Sequence, residues 1–302
     1  MGVDVVFRVQ DSMARRGLAR FGARPPGTGR RMTSSCIRCR NTHFGSLDGV
    51  SSNGMFLSDR GDASQPVLLL IHGGGVAGWM WDAQIAYFGS RYRILVPDLP
   101  GHDRSSAIPF TTSAAVVSEL AAHLEHLPAG TDITVVGFSF GAQVALELAS
   151  SRPDLVARVV VTSALTEGIP LPRLSNWLVG LTAPLARRTW FAKLQAKSLF
   201  IPDNLLNDYI RTSKTLPKDS LVALTSANAQ FRTPSTWRQF TGPALLLAGA
   251  KEPRAVQRAM RQLHHDNPRS ELVIHDRAGH GLPLQYPEWF NTRVDDWIKA
   301  AA

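Results

Sequence analysis

The sequence predicts an α/β fold, a mostly parallel sheet with helices on both faces, and three observations carry that prediction. Short apolar runs of β-branched residues and leucine recur between turn residues, as the buried strands of parallel sheets do. Segments with apolar residues at helical spacing separate them. Alternation of these two patterns is what defines the class. Two of the runs also end in glycine-rich breaks, at the strand ends where such folds gather ligands.

In chain order, the expected strands are Val67–Ile71 in "PVLLLIHGGG", Ile94–Val96 in "YRILVPDLPG", and the runs "ITVVG", "VARVVVTS", "PALLLAG" and "SELVIHD". Helices are expected at about 112–127, 140–151, 254–266 and 287–301. The first of these sets Val116, Val117, Leu120, Leu124 and Leu127 on one face. From about 165 to 240 no strand-like run occurs, which is too long for a plain connection. We read that stretch as a helical cap over the sheet edge, with 45–164 and 241–302 forming the core.

A chain of 302 residues, 44% hydrophobic and 19% charged, can bury a large core. No apolar run approaches the roughly 20 residues of a membrane span, so no membrane span is expected. The net charge of +9 would suggest nucleic acid, but residues 1–40 hold nine arginines against two aspartates and account for +7 of it. The folded body is therefore nearly neutral, and no specific nucleic-acid partner is expected.

That tail lacks periodicity and a secretory h-region, and reads as disordered. Three explanations stay open: an Arg-rich organellar presequence, a nonspecific anion-binding arm, or a start assigned too early, with Met32 as the favoured beginning. Cys36 and Cys39 form a lone CxxC with no second ligand pair, so no metal is expected. The absence of a disulfide framework fits a reducing, cytoplasmic compartment.

The serine in Gly137-Phe138-Ser139-Phe140-Gly141 sits where an apolar strand meets a helix. So tight a turn strains the apex residue, and the flanking glycines give strand and helix room to approach. A helix-capping serine is the plain alternative. Upstream, His72-Gly73-Gly74-Gly75 ends the first strand and frees backbone N–H groups, as an oxyanion hole requires. Gly74 and Phe140 are the candidate donors.

The order HGGG, "VPDLPGHDRS", GFSFG, "AGAKEP" and "AGHGLPLQYPEWFN" resembles the α/β-hydrolase family over about residues 45–300. The resemblance implies an eight-stranded, mostly parallel sheet, a Ser-acid-His triad in that chain order, and a helical cap after the sixth strand. It identifies Ser139 as nucleophile and His280, flanked by Gly279 and Gly281, as base. The acid, three residues after a strand-ending glycine and usually aspartate, falls on Glu252. A surface pairing of Glu252 with Lys251 or Arg254 is the competing reading, while the end of the sixth strand, the usual substitute site, offers no carboxylate. Asp103 stands where the family commonly has glycine, and Asp98 is read as a loop-holding residue.

The expectation is acyl transfer to water, cleaving a carboxylic ester of a small-to-medium apolar substrate without cofactor or metal. Phe138, Trp177 and Trp190 are candidate pocket residues, although aromatics of this kind also serve as core. A serine nucleophile disfavours haloalkane dehalogenase and epoxide hydrolase chemistry. Three rivals share the motifs: a C–C bond hydrolase, a perhydrolase, and a ligand-binding protein with vestigial turnover.

Overall fold

The computed structural model describes residues 46–50, 54–168 and 188–301. The basic tail, the two cysteines, Met32 and Trp177 lie outside the described residues. Among the described residues eight strands form one sheet in the order β1-β2-β4-β3-β5-β6-β7-β8. They are β1 (Ser46–Val50), β2 (Phe56–Arg60), β3 (Val67–Ile71), β4 (Arg93–Pro97), β5 (Ile133–Phe138), β6 (Arg158–Thr162), β7 (Ala244–Gly249) and β8 (Ser270–His275). Only β2 runs against its neighbours, and every pairing from β4 to β8 is parallel.

Continuous apolar runs make these central strands because both faces of the sheet are covered. Along β3, Val67, Leu69 and Ile71 enter one core and Leu68 and Leu70 the other, as the two-residue period requires. The first core is closed by α2 (Ser113–Glu125), α3 (Phe140–Ser151) and α7 (Arg254–Asp266). On the opposite face α1 (Asp82–Phe88) and α9 (Pro287–Ala300) supply Phe88, Phe290, Val294 and Ile298. Thr112 starts α2 by accepting the Ala115 N–H at 3.1 Å, a side-chain cap.

Between β6 and β7 lie α4 (Thr189–Ser198), α5 (Leu206–Thr215) and α6 (Lys218–Gln230), while the short α8 (Leu282–Gln285) precedes α9. The chain leaves β3 toward β4 on one side, then crosses back to β5 on the other. Connections therefore diverge between β3 and β5, and folds of this kind bind ligands at the carboxyl ends beside such a divergence. His72-Gly73-Gly74-Gly75 follows β3 and Ser139 follows β5, so both glycine-rich breaks lie at that divergence.

Candidate active site

Ser139 occupies a strained turn, with φ 53° and ψ −114°, in a region that L residues with a side chain rarely adopt. The conformation is held from both sides. Its N–H donates to the Thr162 carbonyl at 2.9 Å, and its own carbonyl accepts Ala142 N–H at 3.1 Å. A Cβ on Gly137 would sit 2.3 Å from the Gly141 carbonyl oxygen and one on Gly141 2.3 Å from that of Ile71. Glycine is thus required at both positions, since backbone atoms cannot give way.

His280 comes from the loop after β8, 141 residues along the chain, and its Nε2 lies 2.9 Å from Ser139 Oγ. The other ring nitrogen, Nδ1, lies 3.0 Å from Glu252 Oε2. A carboxylate can only accept, so Nδ1 carries the proton and Nε2 is left to accept from the serine hydroxyl. His280 is partly open, its side chain 29% exposed, whereas the Glu252 side chain is fully buried. Glu252 thus pairs with His280 from a buried position rather than with Lys251 or Arg254 at the surface.

Glu252 is held by more than the imidazole. Its Oε1 accepts the Ser163 hydroxyl at 2.7 Å and the Gly249 N–H at 2.8 Å. The histidine loop has its own anchor in His275, whose Nδ1 accepts the N–H groups of Arg277 and Ala278, both at 3.2 Å. The His275 ring stacks on Tyr286 at 4.4 Å. Gly279 N–H donates to the Gln285 side chain at 2.8 Å. Sequence reasoning gave Ser163 and Gln285 no role and set His275 aside as a strand-end residue open to solvent, because the contact each makes shows only once the loops are folded.

Gly74 and Phe140 are neighbours: a Cβ on Gly74 would lie 3.7 Å from the Phe140 Cβ. The Phe140 N–H opens α3 and so has no carbonyl of that helix to bind. Two buried histidines fix the surrounding turn. His72 donates from Nδ1 to the Gly73 carbonyl at 2.7 Å and accepts Leu99 N–H at 2.9 Å on Nε2. His102 accepts Gly75 N–H at 3.1 Å on Nε2 and donates from Nδ1 to the Pro100 carbonyl at 3.0 Å. Burial is the main cause that pushes them down to about 4 and about 3, so both rings are neutral at pH 7. Neutrality leaves one nitrogen of each free to accept, which this network needs.

Phe138 is buried beside His280, with the two ring centroids 5.2 Å apart. Trp190 is not drawn in: it stands on the first turn of α4, 57% exposed, packed edge-on against Phe191 at 5.6 Å. Asp98 is buried and holds its loop, accepting Gly78 N–H at 2.8 Å and Arg104 Nε at 2.6 Å. Asp103 adopts φ 39°, the glycine-like backbone itself, and Arg211 of α5 clasps its carboxylate at 3.0 and 2.9 Å. Among the described residues no three His, Cys, Asp or Glu side chains are grouped to hold a metal ion. No helix among them is long and apolar enough to cross a membrane.

A strained serine on the β5–α3 turn, a histidine after β8 and a mostly parallel sheet with helices on both faces define a class. The chain belongs to the alpha/beta hydrolase family, whose model matches residues 68–293. It is similar to the (E)-2-((N-methylformamido)methylene)succinate hydrolase of Acinetobacter baylyi, 23% identical over 77% of this chain and 90% of that protein. The pimeloyl-[acyl-carrier protein] methyl ester esterase of Neisseria meningitidis is 30% identical over 76% of this chain and 92% of the relative. Among solved structures, an esterase from Thermogutta terrifontis superposes with a TM-score of 0.68 at 22% identity, covering 85% of this chain and 98% of that one. These relatives are hydrolases and esterases, and hydrolase activity is the class they support.

Proposed function

We propose that this protein is a serine hydrolase that cleaves a carboxylic ester of a small-to-medium apolar molecule through an acyl-enzyme on Ser139. His280 Nε2 takes the hydroxyl proton as Oγ attacks the ester carbonyl. Glu252 stabilises the imidazolium that forms and holds the ring in its working tautomer. The N–H groups of Gly74 and Phe140 receive the negative charge that develops on the carbonyl oxygen. His280 then returns the proton to the leaving alcohol, and a water, deprotonated by the same nitrogen, releases the acid.

One observation supports this reading above the others: the unbroken hydrogen-bond chain from Ser139 Oγ through His280 to a buried Glu252. Backbone strain at Ser139 supports it as well, since such strain gathers at functional positions. Phe138 beside His280, together with Leu224 against Gly74, lines the site with apolar surface suited to an acyl group. The similarity to a methyl ester esterase favours an ester as substrate.

A fluorophosphonate probe tests the proposal directly. Wild-type protein should be labelled and should hydrolyse p-nitrophenyl esters, and Ser139→Ala should lose both properties while keeping its thermal midpoint. Folded wild type that resists the probe and turns over no ester, thioester, lactone or diketone in a panel would count for a binding protein instead.

A further inference from the structure

We infer that Ser163, the residue that follows β6, is a positioning residue for the acid and locks Glu252 into its working rotamer. The inference rests on the triad proposed above and extends it to a second serine. Glutamate has one more rotatable bond than the aspartate more common at this place, so its carboxylate has more ways to miss the imidazole. A buried carboxylate also requires donors for its remaining lone pairs. Ser163 O–H and Gly249 N–H both end on Oε1, which fixes the rotation of the carboxylate and leaves Oε2 aimed at His280 Nδ1.

Three features mark Ser163 as built for that contact. It is 1% exposed, so its hydroxyl has no water to turn to. Its φ is +60°, one of four positive values at non-glycine positions among the described residues, and serine there is strained. Strain of this kind persists only where the surroundings over-determine it. Here the Ser163 N–H continues the β6–β7 ladder by donating to the Leu247 carbonyl at 2.9 Å, which turns the side chain toward the acid. The end of the sixth strand, where some members of the fold keep the carboxylate itself, here supplies a donor to a carboxylate placed one strand further on.

The test is a cycle of Ser163→Ala and Glu252→Gln, read as kcat and KM on an ester, with Ser163→Gly as a second removal that suits the backbone angle. Ser163→Ala and Ser163→Gly should each lower kcat roughly 10- to 100-fold, the range of a hydrogen bond to a charged group, with KM within about two-fold. In the Glu252→Gln background the same changes should cost less than about three-fold, because the group they position no longer functions. Retention of wild-type kcat by both Ser163 variants overturns the inference, as does an equal loss in the two backgrounds. If Glu252→Gln and Ser139→Ala themselves leave kcat intact, the triad fails and Ser163 with it. If those two are crippled and the Ser163 variants are not, only the positioning role fails.

Discussion

Two loops at the carboxyl edge depart from the pattern of the family, and the structure absorbs the two departures in different ways. After β7, Glu252 replaces the usual aspartate. Its longer carboxylate is buried and fixed by two donors on one oxygen and an imidazole on the other. After β4, Asp103 replaces the usual glycine and keeps the glycine-like φ of 39°. Its carboxylate is tied by Arg211, a side chain 50% exposed, to a helix of the segment between β6 and β7. One departure is solved by enclosure, the other by a half-solvated ion pair. An enclosed charge tolerates no change of donor or acceptor, whereas a solvated one is buffered by water.

The same chemical change at both places, carboxylate to amide, should therefore give unequal results. Glu252→Gln is the larger. Ser163 and Gly249 both donate to Oε1, so the amide oxygen must stay on their side and the NH2 must face His280. An NH2 there demands an acceptor on Nδ1, which moves the ring proton to Nε2 and presents a donor to Ser139. We expect kcat to fall by on the order of 10⁴-fold, as for a wrong-tautomer triad, with little change in far-ultraviolet dichroism. Retention of more than a tenth of the activity would mean that the acid loop is as forgiving as the Asp103 loop.

Much of this architecture is legible in the sequence where a pattern is local. The apolar run Val67–Ile71 coincides with β3, and 140–151 and 254–266 coincide with α3 and α7. Strand β2, "FLSDR", escaped because its burial is partial and only its first two residues are apolar. Ser139, His280 and Glu252, which the structure brings into one hydrogen-bond chain, each stood in or beside a recognisable motif. Ser163 was not, since serine after a strand is ordinary until a glutamate 89 residues away is folded against it. Asp103 was readable as a departure, but its partner Arg211, 108 residues on, was not.

The contrast sharpens with acid, because the turns after β3 and β4 bury bases where the loop after β7 buries an acid. His72 and His102 are held at about 4 and about 3 in the folded protein. The unfolded chain takes up protons at both near pH 6.5, so folding stability is full above that value and is lost as pH falls toward the folded values. By pH 5 each histidine should remove about 2 kcal/mol of stability. Thermal midpoints measured from pH 8 to pH 5 should fall accordingly. His102→Gln, whose side-chain oxygen can still accept the Gly75 N–H, should roughly halve that slope. An unchanged slope would show that His102 takes up its proton as readily in the folded protein as in the unfolded chain.

Asp103→Asn is the smallest change and the one that tests the forgiving loop by itself. Asparagine tolerates the left-handed backbone as well as any residue with a side chain, so the substitution removes charge and leaves the turn. Only the ion pair to a half-exposed arginine is lost, and such pairs contribute about 0–1 kcal/mol. The thermal midpoint should fall by no more than a few degrees and kcat should stay within about two-fold. Asp103→Asn combined with Arg211→Ala should cost no more than the costlier single change, and the coupling between them should fade in about 1 M salt, where the screening length is about 3 Å. A loss of activity comparable to that of Glu252→Gln would break the comparison. It would mean that the Asp103 ion pair, which neighbours the His102–Gly75 hydrogen bond, holds the turn beside Ser139 in place rather than merely tying a surface helix to it.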